Sequence, residues 1–161
     1  MDAALWSSVV AVGGTLAGGL LASAAQARAA RAERREQRRE DRRGEVVAAV
    51  TALVAALADH RRAMWVLEDL RLSGAEAHVV DQARATSHET RSAVTAPLVT
   101  VRLLAPALAD AAHQAAKASY AMRNAPGVDR LETLRAAALA ASDHLVDEAG
   151  AAFAGMAVVS S

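Results

Sequence analysis

Histidine and aspartate recur three residues apart at three places in this chain: His78 with Asp81, Asp110 with His113, and His144 with Asp147. On a helix that spacing puts both side chains on one face, where an imidazole and a carboxylate can share a metal ion. Helical bundles that hold two irons use Glu-x-x-His pairs joined by further inward glutamates. Here the pairs carry aspartate and no regular glutamates accompany them, so solvated polar faces explain them better. No metal and no cofactor are expected. There is no cysteine, which removes disulfides, thiol nucleophiles and thiolate zinc sites. No Gly-x-Ser-x-Gly elbow, phosphate-binding glycine loop or dinucleotide fingerprint occurs. Gly13-Gly14 and Gly18-Gly19 sit in an apolar run with no following lysine. The expectation is a protein that is not an enzyme, with no catalytic residues.

The densest chemistry is cationic. Arg28, Arg31, Arg34, Arg35, Arg38, Arg39, Arg42 and Arg43 stand against four acids between 28 and 43. Several repeat at i, i+4, and Glu36 and Glu40 lie one turn from arginines, which predicts a solvated helix. Its guanidinium groups would set membrane topology and attract anionic headgroups. Binding of nucleic acid is the sharper alternative. The run has no aromatic side chain for base stacking, and its interleaved acids repel phosphate, so lipid contact is preferred.

The element before this collar explains its place. No charge occurs over the 25 residues from Ala3 to Ala27. A helix of roughly 20 apolar residues crosses the hydrocarbon core. Trp6 stands where an interfacial tryptophan belongs, and the arginines begin at the other end. The positive-inside rule then puts the N-terminus outside and the C-terminal domain in the cytoplasm, as a single-pass protein of the cell membrane. A cleaved signal peptide is the competitor, since Ala22-Ser23-Ala24 and Ala25-Gln26-Ala27 look like cleavage sites. It is opposed by the lack of a positive charge before the apolar run and by the arginines directly after it. Gly14, Gly18 and Ala22 form a small-residue stripe that would let two such helices pack closely.

Residues 45–161 must form the body. Hydrophobic residues are 53% of the chain but aromatics only 2%, so helix seams rich in alanine and of modest stability are expected. Val46, Val50, Leu53, Leu57, Met64 and Leu67 recur at helical spacing. Leu72-Ser73-Gly74 closes that helix, and Ser73 with Glu76 has capping-box spacing for the next. Pro97 should kink or split the second helix. Pro106 fits the first turn of a third, ending near Asn124. A turn at 124–127 precedes a fourth, started by Asp129 with Glu132. Leu131, Leu134, Ala138, Ala141 and Leu145 form its inner face. Nothing reads as a strand. The fold class is therefore all-α: a transmembrane anchor (1–27), a basic juxtamembrane helix (28–44) and an antiparallel four-helix bundle (45–161). Trp65 is expected in the bundle core beside Met64 and Leu67. Its functional alternative is an interface anchor. Arg61 and Arg62 read as a solvated face.

The order of features also resembles a known family. A glycine-rich anchor leads into Ala32-Glu33-Arg34-Arg35-Glu36, then His60-Arg61-Arg62-Ala63-Met64-Trp65, the segment Ser92 to Leu104, and Ser119-Tyr120-Ala121-Met122-Arg123. This is similar to the small KilB-like membrane proteins of Streptomyces plasmids and chromosomes. The resemblance implies an association with conjugative plasmid spread, in which small membrane proteins assist DNA transfer alongside a DNA translocase. It brings no active-site motif with it. The expected function is a membrane-anchored interaction protein that self-associates and meets a membrane protein partner such as that translocase. The alternatives are a membrane-tethered nucleic-acid-binding protein using the collar, or a membrane-disturbing or stalk-like, coiled-coil homo-oligomer.

Overall fold

The computed structural model describes the backbone of residues 3–158 and the side chains of Gln26 and residues 28–154. Four helices make it up: α1 (Ala3–Leu72), α2 (Ala77–Leu104), α3 (Ala109–Tyr120) and α4 (Val128–Val158). A short 3-10 turn, Pro106–Leu108, leads into α3. Among the described residues there is no strand. The chain divides into two compact units, Met1–Arg42 and Arg43–Ser161. In the second unit the helices pack as a bundle around an all-helical core.

Among the described residues no helix is long and apolar enough to cross a membrane. The expectations for the apolar stretch and for Gly14, Gly18 and Ala22 fall on residues whose side chains lie outside the described ones.

The apolar stripe on α1 is buried as its spacing predicts. Leu53 and Leu57 are wholly enclosed, and Val46, Val50, Met64 and Leu67 nearly so. The upper part meets Val94 and Val101 of α2, Leu108, Ala112, Ala115 and Ala116. Leu145 and Ala149 of α4 complete that cluster. The lower part, Met64 and Leu67, joins a second cluster with Met122, Ala125, Leu131 and Ala138. Alanines at the seams let helices approach closely while burying little area each. Arg43 contacts Phe153 at one end of this pair of helices and Trp65 contacts Glu132 at the other. α1 and α4 therefore run in opposite directions.

The helix ends follow from backbone chemistry. Gly74 has φ +70, the left-handed conformation that glycine adopts without strain. The Ala75 N–H then reaches the Leu70 carbonyl at 3.0 Å and the Gly74 N–H the Arg71 carbonyl at 3.4 Å, the paired bonds of a Schellman stop. At the next helix the expected capping box does not form. Glu76 is the cap residue and makes no side-chain cap bond. The Ser73 hydroxyl donates backward to the Leu70 carbonyl instead (3.1 Å). α2 also stays one helix through Pro97. Val94 and Val101, on either side of the proline, are both fully buried in the same cluster. Core packing thus holds both halves in line despite the lost backbone bond. Pro106 takes the first position of the 3-10 turn rather than of the α-helix itself. α3 ends at Tyr120, and Asn124 adopts φ 58 in the turn that follows. α4 begins at Val128, so Asp129 lies inside its first turn and Glu132 turns to Trp65 rather than to a cap.

Candidate functional site

The collar is helical, and its charged side chains are exposed. Every arginine from Arg28 to Arg43 is exposed. At 3.6 residues per turn each residue advances about 100° around the axis. The seven arginines from Arg28 to Arg42 then fall within an arc of about 140°. Glu33, Glu36, Glu40 and Asp41 fall within an arc of similar width, about 140°, on the other side. What reads along the sequence as interleaving is, on the helix, segregation: one basic face and one acidic face. At the border Arg39 reaches Glu36 at 3.4 Å, with both side chains mostly exposed. Such a pair contributes little. On the acidic side Gln37 donates to Asp41 at 2.9 Å. Arg43 belongs to the bundle unit and places its guanidinium 5.4 Å from the centre of the Phe153 ring. That contact gives it a packing role beside any role at a membrane.

Trp65 is half-buried at the edge of the second cluster, not enclosed in it. Its indole N–H donates to Glu132 Oε1 at 2.9 Å, and Arg135 lies 5.8 Å from the ring centre. The indole bond holds the Glu132 carboxyl below its usual pKa, with Arg135 adding to the pull. The core expectation for Trp65 is thus met on one side of the ring only. A donor N–H needs a polar partner, and α4 supplies it at the surface. Of the neighbouring arginines, Arg62 is solvated and pairs with Asp59 at 3.3 Å. Arg61 is half-buried, and its Nη1 is enclosed without a hydrogen-bond partner among the described residues. Burial, and secondly Arg135, pull its pKa below that of a free arginine.

The structure adds two residues that the sequence reading passed over. His60 and Glu68 are both about 99% enclosed, at 1% exposure each. His60 Nδ1 lies 3.1 Å from the Thr90 hydroxyl, and its ring meets Tyr120 edge-on at 5.3 Å. Burial first, then the Arg91 cation, push its pKa down to about 4. Glu68 accepts from Arg71 Nε at 2.7 Å and from the Asn124 N–H at 2.9 Å. Arg71 also donates to the Ala125 carbonyl. A buried carboxylate thereby ties α1 to the left-handed turn between α3 and α4, with both oxygens satisfied. The signal was present. Positions 57, 60, 64 and 68 continue the apolar stripe at steps of three and four, so the stripe itself marks both polar residues as inward.

The six residues of the His/Asp pairs are all exposed. His78 lies 3.2 Å from Glu76. Among the described residues no group of three metal-ligating side chains gathers.

The chain has clear relatives. A family model described as the KilB plasmid transfer protein matches residues 47–153, the bundle with its buried polar seam. Protein KilB of Streptomyces lividans is 54% identical over 147 residues, covering 91% of this chain and 97% of that protein. A match of that length spans the collar as well as the bundle. No solved structure matches the chain. The chain therefore belongs to the KilB plasmid transfer protein family.

Proposed function

We propose that this chain is a membrane-anchored, non-enzymatic interaction protein of plasmid transfer, with the uncharged stretch Ala3–Ala27 across the bilayer and the bundle in the cytoplasm. Family membership supports the role in transfer. The observation that carries the anchoring is the arginine cluster that starts directly after 25 uncharged residues. Arginines at that border favour the cytoplasmic side, and each one near anionic headgroups contributes about 1 kcal/mol. Gly14, Gly18 and Ala22 would pair two anchors, and the bundle would meet a membrane protein partner such as a DNA translocase. The test is fractionation of the full chain expressed in cells. Membranes should retain it through an alkaline carbonate wash, and protease outside intact cells should leave the C-terminus untouched. Release by carbonate would overturn the anchor.

One observation favours a second reading, a nucleic-acid contact by the collar. With the acids on the opposite side, the basic face is unbroken, so the acids oppose phosphate contact less than their order along the chain implies. Under that reading the chain binds DNA with a steep salt dependence that vanishes when Arg31, Arg35 and Arg38 are neutralised.

A further inference from the structure

Near the turn that joins α3 to α4, the bundle carries a half-open cavity of about 160 Å³. Arg71, Arg84, Arg91 and Arg123 line it against a single carboxylate, Glu68. Glu68 is already committed, one oxygen to Arg71 and the other to the Asn124 N–H. Arg84 leans on Asp81 outside the cavity. Arg91 and Arg123 have no carboxylate partner among the described residues. Arg91 is held in place by the Tyr120 ring, 4.1 Å from its guanidinium carbon, a contact that positions the cation without neutralising it. His60 also lines the cavity, and its Nε2 is buried with no partner among the described residues. The Thr90 hydroxyl lies 3.1 Å from the Thr86 carbonyl, the Ser87 carbonyl and His60 Nδ1 alike.

An excess of guanidinium groups around a small polar cavity suits an oxyanion. We infer that this cavity binds a tetrahedral oxyanion, inorganic phosphate or the phosphoryl group of a phosphomonoester, through Arg91 and Arg123. The site is independent of the membrane reading.

Titration calorimetry on the full chain in neutral detergent tests it, with inorganic phosphate and sulfate as probes. One site per chain is expected, taken by phosphate and, in competition, by sulfate. Arg91→Ala combined with Arg123→Ala should weaken phosphate by about tenfold or more, since two charge-assisted bonds are lost. Both side chains are exposed, and an unchanged far-UV signal checks that the fold survives. Arg34→Ala with Arg38→Ala should leave phosphate binding as it was. Competition then identifies the source. Displacement by phosphatidylcholine vesicles containing phosphatidic acid points to a lipid headgroup, and displacement by a nucleoside monophosphate points to a soluble ligand. Either supports the site. No phosphate binding by the unaltered chain, or a loss that follows the collar arginines, would overturn it.

Discussion

Two stretches of the same helix make opposite use of helical periodicity. From Arg28 to Arg42, α1 sorts its charges into two arcs and leaves every charged side chain exposed. From Val46 to Glu68, the same three-and-four spacing sorts apolar residues inward and buries them among α2, α3 and α4. Periodicity alone does not decide between core and surface. The residue type on the stripe does: guanidinium groups keep their water, while leucine and valine lose theirs at a gain of about 25 cal/mol per Å². His60 and Glu68 are the exceptions that sharpen the contrast, polar groups drawn inward because they stand on the apolar stripe and find partners there.

The comparison breaks first at Leu57. Leu57→Ala should cost about 3–4 kcal/mol, because the side chain is fully enclosed and leaves a cavity. Arg38→Ala, an exposed change on the other stretch, should stay within about 0.5 kcal/mol. Urea unfolding of both variants checks this, and equal losses would abolish the distinction.

A smaller effect is expected from His60. Its pKa in the folded chain is about 4 against 6.5 for the free side chain. Between those values the unfolded chain takes up a proton that the folded chain refuses. Stability from this group is therefore full above pH 6.5, falls as pH drops toward 4, and falls no further below that. The loss is on the order of 3 kcal/mol. Unfolding curves across that window should be flatter for His60→Gln than for the unaltered chain. Parallel curves would show that His60 titrates normally.

The smallest effect tests the edge position of Trp65. Trp65→Ala should cost about 1–2 kcal/mol, less than the roughly 3–5 kcal/mol expected of a tryptophan in a core. Glu132 then loses its indole donor, and its pKa should rise toward the ordinary range, readable by carboxyl NMR titration. A core-sized loss in the melting curve would return Trp65 to the interior.

Much of the fold was legible along the chain because each signal is local. The stripe from Val46 to Leu67 needs only side-chain type and a period of 3.6. Gly74 ends its helix because its backbone enters the left-handed region freely. Asn124 marks the later turn for a related reason, since asparagine tolerates that region better than most residues. The misses were equally physical. The Ser73–Glu76 capping box was plausible by spacing, but nearby backbone carbonyls compete for a serine hydroxyl, and Leu70 won. Pro97 was expected to kink or split its helix, and the split does not occur, because buried valines on both sides outweigh its local cost.

By itself the sequence determined the helical class, the places where helices stop, the basic collar and the apolar stripes, all consequences of backbone preference and side-chain period. Tertiary structure alone decided which polar groups share a space. Glu68 and Asn124 are 56 residues apart and His60 and Thr90 are 30 apart, and no local rule links them. Their pairing comes from the requirement that a polar group forced inward by its position on a stripe must find a partner on whichever helix packs over it. The gathering of Arg71, Arg84, Arg91 and Arg123 around one cavity has the same origin. Each reads along the chain as an ordinary surface arginine, and only the packing of α1, α2 and the turn after α3 makes them neighbours.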